Sequence, residues 1–234
     1  MKIKIPTSFV PTHASHFVGP AGRLAHLLAH KFQRIEENTK ASYAAILHGP
    51  PGTGKSSVCL AAAAWITNHT CMVEQLNGQS TTIDVVRQWR DNFCYIQTGW
   101  KVIVIDEVCK ASLAAVAEML TLIDTKPAMV AFLMTTNRDP EKDMFHGKDT
   151  AARIEKARIN GDPMPPEELL RMAFQSRVFA HQVDKPDTTE IRAMVWEWIK
   201  DDLGADAIAG VADGNVRLAL IEAEAWLDRK AVGQ

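Results

Sequence analysis

The sequence predicts an α/β fold, with a five-stranded parallel sheet flanked by helices and a small C-terminal all-helical lid. Three observations predict it. Residues 44–57 carry a short apolar strand into a glycine-rich turn and then into a helix. Lys101-Val102-Ile103-Val104-Ile105-Asp106-Glu107 is a continuous apolar strand ending in two acids, the pattern of a strand buried on both faces of a parallel sheet. Strand and helix patterns alternate as far as Val183, and only helical patterns follow.

Taken in order, residues 1–20 are irregular and punctuated by proline, and Gly22 to Glu37 then shows helical apolar spacing through Leu24, Leu27, Leu28, Phe32 and Ile35. His26 and His30 lie at i, i+4 on that helix with His13 and His16 nearby; no carboxylate or cysteine completes a metal set, so they read as surface or core histidines. A helix continues from the glycine turn to Thr67, with the run Ala61 to Ala64 suited to close packing. Cys71 to Leu76 reads as the second strand and Asn77-Gly78-Gln79-Ser80 as a turn. Thr81 to Phe93 reads as a helix with Ile83, Val86 and Trp89 on one face and Arg87 and Arg90 on another. Ala111 to Asp124 is an amphipathic helix, and Ala128 to Thr135 is an apolar strand followed by Thr136-Asn137. Residues 138–166 read as an inserted excursion, its limits 139–166, with one helix over Thr150 to Ile159. Glu167 to Phe174 is helical and Val178 to Val183 is the last strand. A boundary near Asp184 divides a core of residues 1–183 from a lid of residues 184–234. The lid opens with Asp187 and Glu190 as a capping pair for a helix to about Leu203, continues with a short helix or turn over Gly204 to Val211, and closes with Gly214-Asn215 capping Val216 to Lys230.

A chain of 234 residues buries a substantial core. Its net charge of −2 carries no global signature of a nucleic-acid binder, so any such contact has to come from a local basic face. The first six residues lack a long apolar core and no run of about 18 apolar residues occurs, so a cytoplasmic protein without a membrane partner is expected. Cys59, Cys71, Cys94 and Cys109 form no C-x-x-C pair and read as free thiols.

The glycine turn is the chemical centre. Gly49, four intervening residues, Gly54, Lys55 and Ser56 fill the pattern of a phosphate-binding loop, in which glycines let backbone N–H groups close around phosphate oxygens. The following helix points its positive end at the same place. The contact set is Gly49, Pro50, Pro51, Gly52, Thr53, Gly54, Lys55, Ser56 and Ser57, joined by Val10, Phe17 and Val18 of the lead-in. Lys55 would reach the β- and γ-phosphates of ATP, and the Ser56 hydroxyl would hold Mg²⁺. Asp106 and Glu107 emerge at the carboxyl edge of the sheet, where ligands bind in such folds. Asp106 would complete the Mg²⁺ shell, and Glu107 would polarise a water for attack on the γ-phosphate. Asn137 lands at the same edge, where its amide would orient that water.

These residues resemble an AAA+ ATPase, a P-loop NTPase fold. The phosphate loop and Val102 to Glu107 resemble its Walker A and Walker B motifs, and Thr135-Thr136-Asn137 resembles sensor 1. Glu74-Gln75-Leu76-Asn77-Gly78, Ile83 to Arg87, Gln175-Ser176-Arg177 and Asp213 to Leu220 resemble, in order, the E-L-N-A-S strand end, the helix after it, the S-R-C motif and the sensor 2 helix of small sliding-clamp-loader subunits. The resemblance implies ATP-driven assembly of an oligomer around primed DNA, with a sliding clamp or another protein as client. It makes Arg177 a finger reaching a neighbouring subunit's γ-phosphate, with Arg171 as the rival, Arg217 a sensor of the γ-phosphate, and Arg87 and Arg90 contacts to DNA phosphates. The sequence departs from that family at Val108-Cys109, which replaces Ala-Asp, in its long 138–166 segment, and in ending after the lid where the family continues into a collar. Two other readings stay open at this point: an AAA+ ATPase acting on a protein partner such as a helicase or transposase loader's client, and a nucleotide-dependent scaffold.

Overall fold

The computed structural model describes residues 10–35, 38, 40–67, 73–93 and 99–231. Cys71, Cys94, Glu37 and the first nine residues of the lead-in lie outside them. In chain order the elements are α1 (Gly19–Ile35), β1 (Ser42–His48), α2 (Lys55–Thr67), β2 (Val73–Asn77), α3 (Ile83–Phe93), β3 (Lys101–Asp106), α4 (Leu113–Asp124), β4 (Val130–Thr136), α5 (Thr150–Asn160), α6 (Pro166–Gln175), β5 (Phe179–Gln182), α7 (Thr188–Ile199), α8 (Asp202–Ala212) and α9 (Val216–Ala231). Short 3₁₀ turns stand at Ala14–His16, Gly78–Ser80 and Val108–Lys110.

The five strands form one parallel sheet in the order β2-β3-β4-β1-β5. Ala44 and Ile46 of β1, Ile103 and Ile105 of β3, and Val130, Phe132 and Met134 of β4 share one buried face with Val86 and Trp89 of α3 and Val116, Met119 and Leu120 of α4. The alternate residues Ala45, Leu47, Val102, Val104, Ala131 and Leu133 are buried as well, so both faces of the central strands exclude water, as their unbroken apolar runs predict. Register fixes where these strands stop. His48 pairs with Thr136, and Asn77 pairs with Asp106, so the carboxyl ends of β1 with β4, and of β2 with β3, are level.

The chain divides into two compact units that differ from a single cut near Asp184. One comprises residues 1–31, 49–62 and 183–234; the other comprises residues 32–48 and 63–182 and holds the whole sheet. The phosphate loop groups with the lid helices because Arg217 N–H donates to Gly52 O at 3.4 Å and Asn215 packs on Gly52. The lid itself is a three-helix cluster built on Ile191, Val195, Ile199, Ala205, Ile208, Ala209, Ala219 and Ala223. Asp187 and Glu190 form the expected capping box at α7, and Lys200, in the left-handed region, ends that helix three residues before Leu203. Asp201 then caps α8, a helix of 11 residues where the sequence reading has a short helix or turn. Among the described residues no helix is long and apolar enough to cross a membrane.

Residues 138–166 are not a mere excursion from the core. Met144 and Phe145 are buried in the same cluster as β4 and α3, and Phe145 meets Phe174 edge to face at 5.6 Å. Arg138 donates to His146 O at 2.7 Å, and Arg171 donates to Glu141 O at 2.5 Å and to both Glu168 oxygens at 2.7 and 2.8 Å. His146 Nε2 lies 2.9 Å from Glu168 Oε2. The two Arg171 hydrogen bonds, opposed by burial and helped by His146, pull the Glu168 carboxyl down to about 2. An unfolded glutamate titrates near 4.3. The stabilisation from this carboxylate is therefore complete above that value and is lost as pH falls from there toward 2. Urea midpoints measured across that window should fall more steeply for the parent than for a Glu168→Gln variant; parallel curves would show that the cluster does not carry the acid dependence.

Candidate functional site

After β1 the chain enters the first unit through a loop that only glycine-rich sequence can follow. Gly49, Gly52 and Gly54 have φ of +140°, +78° and +93°. A Cβ on Gly52 would lie 2.1 Å from Asn215 Oδ1, so this position needs glycine for space as well as for φ. Thr53 Oγ1 donates to Pro50 O at 3.0 Å, and Lys55 Nζ donates to Gly49 O at 2.9 Å and to Pro50 O at 2.6 Å. The ammonium is thus held over the concave side of the loop while almost wholly buried. Val58 N–H bonds Gly54 O at 2.9 Å, so α2 starts directly out of the glycine loop. Ser56 and Ser57 sit in that first turn, both half-buried.

Beside the loop and within the same unit lies a pocket walled by Phe17, Val18, Ala21, Thr53, Gly54 and Ser57, with Met194 and Trp198 of α7 and Val216 and Leu220 of α9. An apolar slot next to a phosphate loop suits a flat heterocyclic base. Phe17 and Val18 are among the residues that line this pocket; Val10, 74 % exposed, is not, and Pro11 is. Arg217 occupies the first turn of α9, its backbone on Gly52 and its side chain exposed, and Asn215 caps the helix by accepting from Leu218 N–H at 3.1 Å.

The second unit carries the acids. Asp106 ends β3, and Glu107 follows in the left-handed region at φ 52°, which swings the chain into the Val108–Lys110 turn. Thr135 Oγ1 donates to Asp106 Oδ1 and accepts from Glu107 N–H at 3.1 Å, tying both acids to β4. Asn137 Nδ2 donates to Glu107 Oε1 at 3.3 Å, and Lys110 Nζ bonds Glu107 Oε2. A carboxylate held between an amide and an ammonium at a sheet edge can receive a proton from water. The half-buried Asp106 carboxylate and the Ser56 hydroxyl are hard oxygen donors of the kind Mg²⁺ prefers.

The arginines are engaged. Arg177 Nε donates to Asp124 at 2.7 Å and its side chain stays one-third exposed. Arg171, only 12 % exposed, is committed to Glu168 and to the 138–146 backbone, a tether and not a group that can reach outward. Arg87 and Arg90 converge on Glu118 Oε1 at 4.0 and 2.7 Å, with Asp84 and Asp91 as further neighbours, so three acids stand around the two arginines. Cys59 is a buried free thiol and Cys109 a half-buried one, and among the described residues no cluster of histidine, cysteine and acid could hold a metal ion.

The family model of the AAA domain (dynein-related subfamily) matches residues 44–177, more than half of the chain. The chain belongs to the AAA+ ATPases. Replication factor C subunit 3 of Schizosaccharomyces pombe is 29% identical over 131 residues, covering 53% of this AAA+ chain and 36% of that protein. The subunit of the same name from Saccharomyces cerevisiae is 28% identical over 158 residues, covering 64% and 44%. This AAA+ chain therefore resembles replication factor C subunits while spanning less than half of their length. The Thermotoga maritima RuvB Holliday junction branch migration motor shares the fold, with a TM-score of 0.68 over 95% of this chain and 66% of its own at 16% identity.

Two residues carry no role in the sequence reading. Thr135 enters it only as the first residue of the stretch that resembles sensor 1, yet its one hydroxyl holds both acids. Trp198 lies over 140 residues from the phosphate loop, with no local signal linking it to a pocket. Thr135→Val keeps the shape and removes both bonds, leaving the Glu107 N–H without its acceptor. A loss of about 1–3 kcal/mol of stability is expected from such an unmade bond. Urea denaturation of the variant beside the parent measures it.

Proposed function

We propose that this AAA+ chain is a Mg²⁺-dependent ATPase that works as an oligomer to remodel or load proteins on DNA, most like a clamp-loader subunit. The observation that carries hydrolysis, beyond nucleotide binding, is Asn137 donating to Glu107 beside an Asp106 tied to Thr135. A nucleotide-dependent scaffold would have no use for an oriented acid at that edge. Lys55 holds the β- and γ-phosphates, Ser56 and Asp106 hold Mg²⁺, and Glu107 polarises the attacking water. When bound, the ion would neutralise charge developing on the γ-phosphate. The Phe17, Val18 and Trp198 pocket receives the base, and Arg217 senses the γ-phosphate. The DNA-loading part rests on the resemblance to replication factor C subunits. Contact of Arg87 and Arg90 with DNA requires them to exchange Glu118 for phosphates.

ATP turnover measured with primed DNA, unprimed DNA and no DNA tests the whole reading: stimulation by primed DNA is expected, and turnover indifferent to DNA overturns the loading role. Lys55→Ala should lose ATP binding, because it removes a ground-state phosphate contact. Glu107→Gln should bind ATP with parental affinity and fail to hydrolyse it, because the acid acts only on the water during chemistry. Titration of fluorescent ATP against each variant, followed by phosphate release, separates the two.

Arg177 supplies the trans finger, because Arg171 is spent on Glu168 and the 138–146 backbone. A guanidinium at a neighbour's γ-phosphate is worth roughly 10³ to 10⁵ in rate. Arg177→Ala, which keeps its own ATP site, is to be mixed with Glu107→Gln, which keeps its finger. Turnover above both parents in the mixture is the expected outcome; none despite co-assembly, or full activity of Arg177→Ala alone, removes Arg177 from that role.

A further inference from the structure

α3 and α4 contribute to one buried cluster, Val86 and Trp89 from the first and Val116, Met119 and Leu120 from the second. Arg87 and Arg90 each follow one of those α3 residues, and Glu118 directly precedes Met119. The packing that buries the apolar set thus brings three charged side chains together at its solvent edge. Both guanidinium groups meet the same atom: Arg90 Nη1 donates to Glu118 Oε1 at 2.7 Å, and Arg87 Nε stands 4.0 Å from that oxygen. Asp84 and Asp91 approach the arginines at 3.7 and 3.8 Å, beyond hydrogen-bond length, and are 80 % and 76 % exposed against 21 % for Glu118.

Two arginines on one anionic oxygen make a fork that suits a phosphate as well as a carboxylate. Glu118 and Asp124 are the only charged residues of α4, and Glu118 lies mid-helix, where it neither caps the helix nor meets its dipole. Ala114 and Thr121, at i−4 and i+3 from Glu118 on the same flank, are exposed and small, and they leave room for a rod-shaped polyanion to reach the fork. With three acids around two arginines, such a polyanion gains no cation here until one acid gives way.

We propose that the Arg87–Arg90 fork is a site for one backbone phosphate of duplex DNA and that Glu118 is its resident competitor, so that DNA engages this face by displacing the Glu118 carboxylate. The inference rests on the DNA-loading reading above and adds to it the acid that sets the affinity. Each arginine exchanges one anionic partner for another, which keeps the contact weak enough to be released.

Anisotropy of a short labelled DNA duplex, titrated with the full chain in ATP and Mg²⁺, tests it for the parent, Glu118→Gln, Arg87→Ala/Arg90→Ala and the triple variant. An exposed ion pair holds its partners by a small factor, so Glu118→Gln should tighten binding by about two- to fivefold, and the gain should shrink as added salt screens both pairings. Glu118→Ala should reproduce the gain. In the arginine-free background Glu118→Gln should leave affinity where that chain has it, because no fork is left to release. A gain that persists there is bulk repulsion of DNA by one acid and overturns the proposal, as does unchanged or weaker binding by both Glu118 variants. An equal gain on poly-glutamate assigns the fork to an acidic protein and overturns the phosphate site. If Arg87→Ala/Arg90→Ala loses DNA affinity while the Glu118 variants match the parent, the competitor fails and the DNA contact stands; if the parent does not bind duplex, both fail.

Discussion

The parallel pairing of β4 with β1 on one side and β3 on the other is the constraint on which the rest depends. Parallel ladders lock register through evenly spaced bonds, and a slip of one residue would turn every side chain to the opposite face. Because both faces are buried, such a slip would still bury apolar atoms. Strand ends would no longer match, however, and Thr135 could not meet Asp106 and Glu107 together. The register of β4 thus converts a packing requirement into the position of two acids, and the hydroxyl of one threonine records that it has been met.

The phosphate loop follows a different logic. Its shape comes from backbone conformations that residues with a Cβ rarely adopt, and its cation is turned inward onto carbonyls of the same loop. Lys55 donates to two neutral acceptors of the same loop, Gly49 O and Pro50 O. The lid contributes backbone and cap, through Arg217 N–H on Gly52 O and Asn215 against Gly52, so motion of α9 and the loop conformation are mechanically linked within their unit. That linkage is what a sensor on α9 would need, and it runs through the main chain, while the Arg217 side chain remains exposed.

Arginine chemistry divides along burial. Arg171 is enclosed and answers a buried glutamate, with its remaining donors on the 138–146 backbone, so its work is to fasten that segment where Met144 and Phe145 enter the core. Arg177, Arg87 and Arg90 are paired with acids that stay partly in water, where ion pairs are weak and exchangeable. A residue that must leave its partner to do its task is better kept in a pair of the second kind.

The sequence by itself determined the α/β class, the phosphate loop, the two acids and the lid, because each is written in a local signal: apolar runs of strand length, glycines before a lysine, a capping pair at Asp187 and Glu190. Element ends shifted by a few residues where a cap or a left-handed residue intervened, as at Ser112 before α4 and Lys200 after α7. What only the tertiary structure decided are relations between residues far apart in the chain: Thr135 joining Asp106 to Glu107, Trp198 and Met194 lining one pocket with Phe17, Arg171 tied to the Glu141 carbonyl, and Glu118 shared by Arg87 and Arg90. Even the bond from Lys110 to Glu107, only three residues apart, goes with a left-handed turn packed against Gly78 of the turn after β2. Local patterns report backbone preference and burial. Which polar atom meets which is set by strand register and by packing between elements, and those are properties of the folded chain alone.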